Sequence, residues 1–274
     1  MEAGFEGARA VVTGAGSGIG KLIAEKLAEG GAKVAVWDID GPAARETVKE
    51  IRDIGGEAKA FEVDCGDFES VASAAGPTMA FLGRLNILVN DAGVVAGKPF
   101  ADLSERDVER VFRVNSLSLF WTNKAFLGEL EKSRRAVTIT VASAAGLIGS
   151  SRLTAYSASK FAAVGFTSSL RNELKKEGSR VKTLLVCPFY ISTGMFEGVK
   201  TKIPALLPIL RPEKVAEEVV KAIRRGRERL ILPPFAALAG FVANSPVPVA
   251  DGMANIFGIN SCMDDFVGRK KANE

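Results

Sequence analysis

The chain has 274 residues, 47% of them hydrophobic, enough for one large core that buries roughly three quarters of the unfolded surface. Its formal net charge of +4 is too small to argue for a nucleic-acid partner, and only KAIRRGRER, Lys221 to Arg229, concentrates basic side chains. The absence of histidine excludes Ser-His-Asp hydrolysis, Cys-His proteolysis and histidine-ligated zinc, so proton chemistry falls to Tyr, Lys, Asp, Glu, Cys or Ser.

The three cysteines, Cys65, Cys187 and Cys262, are far apart and show no CxxC spacing. Neither a disulfide framework nor a thiolate metal site is expected, and a cytoplasmic setting is. The first residues show no basic region followed by an apolar stretch, and no apolar run reaches the length of a membrane span.

In chain order, short β-branched apolar runs occupy 8–13, 33–38, 58–63, 85–90, 136–141 and 180–187, and a seventh occupies 228–233. Helical patterns such as GIGKLIAEKLAEGG and PAARETVKEIRDIGG separate the early runs, each closed by glycine. Apolar strands alternating with helices predict a doubly wound, seven-stranded parallel sheet covered on both faces, a Rossmann-type α/β fold in one domain over 1–274.

TGAGSGIG, Thr13 to Gly20, follows the first strand and opens the first helix. Gly14 lets the chain turn, Gly18 admits a close backbone approach, and Gly20 lets helix and strand pack. The helix N-terminus offers N–H groups and about half a positive charge to a pyrophosphate. Asp38 ends the second strand, eighteen residues after Gly20, where a carboxylate can accept from both adenosine ribose hydroxyls and repel a 2′-phosphate. No basic residue lies within two positions of it, so NAD rather than NADP is expected. Asp64, in EVDCGD, is placed to meet the adenine edge.

YSASK sets Tyr156 one helical turn from Lys160, so phenol and ammonium share a helix face. By itself this pattern also describes an exposed surface pair. The motifs together decide: TGAGSGIG, Asp64, NDAG (Asn90 to Gly93), Asn115 in RVNSLS, Ser143 in TVASAAG, YSASK, and Pro188 with Thr193 in PFYISTG resemble, in order, those of the short-chain dehydrogenases/reductases. VNSLSLFWTNKAF, SKFAAVGF, VCPFYISTGMF and CMDDFVGR are similar to the branch of retinol and 17β-hydroxysteroid dehydrogenases.

The resemblance implies that Tyr156 is the general acid/base, that Ser143 holds the substrate oxygen, and that Asn115 bends its helix and positions a water. Lys160 would hold the nicotinamide ribose and, from near 4 Å, acidify the phenol by about 4 kcal/mol at an effective dielectric of ~20. Gly14, Gly16, Ser17, Gly18, Ile19 and Gly20 would line the cofactor with Asp38, Asp64, Asn90, Ala92 and Gly93, joined by Pro188, Ile191 and Thr193. Tyr190 is a candidate substrate contact. Two departures are visible: the family usually has a second asparagine where Asp91 stands, and the branch commonly carries a histidine-containing turn before the fifth strand, where this chain has EKSRRAV.

Trp37 and Trp121 are expected to pack in the core, and Cys187 to be inert. Between Ile231 and Cys262 the single charged residue is Asp251. This apolar tail, about 233–274, is expected to cover the core or a second subunit, or to act as an apolar lid in weak peripheral contact with a membrane that KAIRRGRER would also touch, and the substrate loop is expected at about 189–211. The helices carrying Asn115 and Tyr156 look apolar or small around much of their circumference, with Ala155, Ser159, Ala162, Ala163 and Ser169 open to a partner helix. A homodimer or homotetramer is expected, as the resemblance also implies, and the competing cover for these two helices is the apolar tail folded back over its own subunit.

The leading expectation is an NAD-dependent oxidoreductase acting on a lipophilic alcohol or ketone of steroid, retinoid or long-chain type, without a metal. An NADPH-dependent reductase of 3-oxoacyl carrier-protein thioesters is the alternative enzyme, and a non-catalytic cofactor-binding protein the alternative class.

Overall fold

The β-branched runs become seven strands in a computed structural model that describes residues 4–268. They are β1 (Arg9–Thr13), β2 (Lys33–Asp38), β3 (Glu57–Glu62), β4 (Ile87–Asn90), β5 (Val137–Val141), β6 (Lys182–Pro188) and β7 (Arg229–Leu232). Each lies within two residues of its expected span. Every neighbouring pair is parallel, in the order β3-β2-β1-β4-β5-β6-β7.

Helices α1 (Gly18–Glu29), α2 (Gly41–Asp53) and α7 (Pro212–Arg224) cover one face, and α3 (Phe68–Leu82), α4 (Glu105–Phe112), α5 (Ser118–Glu131) and α6 (Thr154–Lys176) the other. The period-2 alternation of a strand serves both cores. Ala10 and Val12 of β1 join Val34 and Val36 under the first layer, while Val11 joins Ala35 and Trp37 under the second. Trp37 is fully buried and donates its indole N–H to Thr78 Oγ1 at 3.0 Å; Trp121 packs edge-on against Phe68. Side-chain caps fix the helix starts: Asp40 accepts from Ala43 N–H at 3.0 Å and Asp67 from Ser70 N–H at 3.0 Å.

The chain runs outward from β1 through β2 to β3, then returns to β4 and builds the other way. The loops after β1 and β4 therefore part company at the carboxyl ends of the strands, which opens a crevice there.

Past β7 the tail forms α8 (Ala239–Ala243) and α9 (Val247–Phe257). Phe235 and Phe257 stack edge-on, 5.4 Å between centroids, and pack with Ile259 against Ala144, Phe189 and Leu207. The tail therefore covers the substrate loop and, through Met263, the Tyr156 end of α6, and leaves Phe120 of α5 and Phe161 of α6 exposed. Lys221 to Arg229 ends at the amino end of β7, and the tail leaves its carboxyl end. Residues Arg269 to Glu274, including the last residue of CMDDFVGR, lie outside the described residues, as do Met1 to Ala3. No helix among the described residues is long and apolar enough to cross a membrane.

Candidate active site

The crevice is a cleft of about 810 Å³ with α1 opening at one wall and the substrate loop at the other. Ser17, Gly18 and Ile19 line it where the first N–H groups of α1 have no intrahelical acceptor. Gly14 has φ of 66°, and a Cβ there would stand 2.8 Å from Ala92 Cα, so only glycine lets the first loop pass the NDAG loop. Thr13 Oγ1 pins that second loop by accepting from Asp91 N–H at 3.1 Å and Ala92 N–H at 3.2 Å.

Asp38 reaches the cleft from the end of β2. Its carboxylate accepts from Gly16 N–H at 2.7 Å and Asp40 N–H at 2.9 Å. Gly16 does not line the cleft; it makes room for Asp38, whose Cγ would be 2.9 Å from a Cβ at that position. Asp64 also lines the cleft, its Oδ1 accepting from Gly66 N–H at 2.8 Å. A helix N-terminus, glycine-dependent turns and a strand-end carboxylate fit a dinucleotide.

Besides Gly16, two more expected contacts lie off the cleft lining. Asn90 faces away from the cleft and braces the sheet: Nδ2 donates to Ile139 O at 3.1 Å and Oδ1 accepts from Thr122 Oγ1 at 2.6 Å. Gly20 lies beneath the cleft, where a Cβ would meet Gly14 O at 2.5 Å. Ala92, Gly93, Pro188, Ile191 and Thr193 line the cleft.

Asn115 sits in a wide π turn, Arg113–Leu117, which joins α4 to α5. Its amide clasps Val94, accepting from the N–H at 2.8 Å and donating to the carbonyl at 2.9 Å, and it donates to Ser159 Oγ at 3.0 Å. Ser159 Oγ in turn donates to Tyr156 O at 2.7 Å. Ser159 is thus a second fastening for the tyrosine's turn, and nothing in its small-residue surroundings distinguished it in the sequence.

Tyr156, Lys160 and Ser143 converge on the cleft floor, all buried. The Tyr156 phenol hydrogen-bonds with Ser143, which opposes but does not cancel the effect of burial, so its pKa is raised above the ordinary tyrosine value. Lys160 Nζ donates to Val141 O at 2.9 Å and stands 5.7 Å from the Tyr156 ring centroid. The expected acidification of the phenol by a near ammonium is therefore outweighed by desolvation in this geometry. Burial also pulls Lys160 below the ordinary lysine value. Cys187 ends up buried with its thiol pushed up to about 11, which keeps it protonated and unreactive.

Beyond Tyr156 the cleft turns apolar. Phe196 meets the Tyr156 ring edge-on at 5.6 Å and the Tyr190 ring at 5.1 Å, and Leu153 and Met263 complete the cluster. Ile148, Phe189 and Met195 also line this end. Of this wall only Tyr190 was expected. The rest come from three separate segments with no shared periodicity, and the aromatic density of PFYISTGMF was the signal available.

The short chain dehydrogenase family model matches residues 8–204. Human epidermal retinol dehydrogenase 2 is 39% identical over 267 residues, covering 95% of this chain and 85% of that protein. Mouse estradiol 17-beta-dehydrogenase 11 is 39% identical over 229 residues, covering 83% and 76%. A 7α-hydroxysteroid dehydrogenase solved with NADH and 7-oxo glycochenodeoxycholic acid superposes with a TM-score of 0.76 at 29% identity, covering 83% of this chain and 93% of that one. Solved structures of this kind carry NAD(H) or NADP(H). The chain belongs to the short-chain dehydrogenase family, beside its retinol and 17β-hydroxysteroid dehydrogenases.

Proposed function

We propose that the protein is an NAD(H)-dependent oxidoreductase that interconverts an alcohol and a carbonyl on a lipophilic substrate of steroid, retinoid or long-chain type. One observation carries this reading: the Tyr156 hydroxyl, beside Ser143 and Lys160, stands between a dinucleotide-shaped wall and an aromatic one. The relatives named for retinol and estradiol, and the steroid in the solved relative, support the substrate class.

The nicotinamide, when bound, supplies the hydride acceptor or donor. The chain's own groups handle the proton. In oxidation, Ser143 Oγ hydrogen-bonds the substrate oxygen, and Tyr156 as phenolate takes the hydroxyl proton as the carbon loses hydride. In reduction the phenol returns that proton. Lys160 steadies the phenolate by charge, and Asn115 holds the turn that shapes this floor and, in this reading, positions a water. Phe189, Tyr190 and Phe196 exclude water and hold the apolar body of the substrate.

Asp38 supports NAD over NADP, because its fixed carboxylate faces the adenosine end. Arg110 of α4 and Arg113 of the π turn line the same cleft and are the groups that would favour a phosphate there. A panel of hydrophobic alcohols and ketones assayed with NAD(H) and NADP(H) tests both points. Turnover with NAD and a steroid, retinoid or fatty alcohol is expected. Activity only on carrier-protein thioesters with NADPH would overturn the reading, and no turnover with any substrate would leave a cofactor-binding protein.

The exposed Phe241 and Val247 of the tail support a further element of the proposal, weak contact of that surface with a membrane from which a lipophilic substrate enters. Flotation with anionic vesicles, compared between the wild type and Phe241→Ser, tests it: equal flotation refutes the tail's part.

A further inference from the structure

Asp91 lines the cleft floor and has no part in the mechanism above. It follows β4 directly, where Thr13 Oγ1 fixes its N–H. The residue keeps some contact with the cleft, but its carboxylate is set deep against the first turn of α1. A Cβ at Gly20 would stand 2.7 Å from Asp91 Oδ2, and the Gly20 N–H supports the carboxylate. Two residues on, a Cβ at Gly93 would lie 3.5 Å from Asp91 O and 3.6 Å from Lys160 Nζ, so the NDAG loop runs directly under the lysine head.

Lys160 needs such a neighbour. Its ammonium donates to a neutral carbonyl, Val141 O, and burial favours the uncharged amine. The charged or titratable groups acting on it are the Asp91 carboxylate and the Cys187 thiol of β6, which stays protonated. Burial pushes the Asp91 carboxyl up to about 7; Lys160 of α6 and the Gly20 N–H favour its ionised form, and Asp38 at the end of β2 opposes it, so Asp91 carries its charge from neutral pH upward. An asparagine at this position would fill nearly the same volume and leave Lys160 with no opposite charge.

We infer that Asp91 is a positioning residue whose carboxylate, held against α1, keeps Lys160 an ammonium beneath Tyr156. The inference deepens the proposed function and rests on Lys160 serving Tyr156. Removing the carboxylate shifts Lys160 toward the amine, so its proton is lost at lower pH. An uncharged Lys160 still donates hydrogen bonds but no longer steadies the phenolate.

The experiment follows the acylation rate of Lys160 against pH, read by peptide mass spectrometry on the full chain without added cofactor. In Asp91→Asn the reactivity midpoint is expected to fall by about one pH unit or more. The alkaline limit of kcat for alcohol oxidation should move the same way. Asp91→Glu, which keeps the charge, should restore both toward wild type. A wild-type midpoint in a folded Asp91→Asn protein overturns the inference, even if its thermal stability drops. Should that variant fail to fold, Asp91→Ser is read by the same two outcomes. A shifted midpoint alongside normal turnover in Tyr156→Phe would leave the Asp91–Lys160 coupling standing and remove the assigned function instead.

Discussion

Burial raises the Tyr156 phenol while the Ser143 hydroxyl pulls it back, and this balance sets the direction in which pH acts. Oxidation needs the phenolate, which becomes populated only as pH rises toward the raised pKa. Reduction needs the phenol, which is already present below it. Alcohol oxidation is therefore expected to accelerate from pH 6 to pH 9 by about tenfold per unit at most, and carbonyl reduction to stay flat or fall. Profiles of kcat/KM measured in both directions check this, and parallel profiles would contradict the assignment of Tyr156. Tyr156→Phe should lower kcat by at least about 10²-fold, with cofactor affinity nearly intact. Asp38 belongs to the same scale. Its carboxylate is fixed by two backbone N–H groups, so it is ready to accept from ribose hydroxyls without rearrangement. Asp38→Ala is expected to weaken NAD(H) binding by about tenfold or more and to narrow the gap to NADP(H). Fluorescence titration of both cofactors measures it, and a wild-type preference for NADP(H) would reverse the reading of this strand end.

At the scale of elements, the cofactor side was legible because each loop carries its own chemistry in consecutive residues. TGAGSGIG needs only one strand before it and one helix after it to be placed. The apolar side was not legible, because its wall is assembled from the segment before α6, the loop after β6 and the far end of the chain. Helix phase was a second limit. Ala155, Ser159 and Ala163, expected on the outside of α6, turn inward and are buried, whereas Ala162 and Ser169 do face out. Where a helix is small or apolar on all sides, the sequence does not say which side meets the sheet. The tail and the substrate loop, by contrast, fold as a clasp. Val267 N–H donates to Glu197 O at 2.9 Å, Lys200 pairs with Asp265 at 2.7 Å, and Met263 is fully buried beside Tyr156 and Tyr190. The exposed ion pair contributes little, so the apolar contact of Met263 dominates. Met263→Ala is expected to loosen the clasp by about 2–5 kcal/mol. Faster amide exchange across 189–211, with the β-sheet unaffected, is the expected signature; unchanged exchange there would show that the loop holds itself.

For the whole molecule, the tail had been a competing cover for α5 and α6, and its packing against the substrate loop leaves Phe120 and Phe161 of those helices exposed. The outward face of α6 carries Ala158, Phe161, Ala162, Gly165 and Ser169, which recur at helical spacing on one side. Phe161 is 45% exposed, and Leu117 and Phe120 beside it are 40% and 44% exposed. Phe120 stacks edge-on against Phe166 at 4.7 Å, which ties the two helices into one surface. The small residues allow a close helix approach and the aromatics supply the area. A face built this way on both copies is self-complementary about a two-fold axis. We therefore predict a homodimer or a larger even assembly that buries more than about 1,200 Å² in all. Phe161→Asp would place two like charges near that axis, each desolvated on assembly and neither with a partner, while leaving the inward face of α6 untouched. Sedimentation at micromolar concentration should find the wild type dimeric or tetrameric and Phe161→Asp monomeric, with circular dichroism unchanged. A monomeric wild type, or a variant that assembles as the wild type does, would place the contact on another surface or dispense with it.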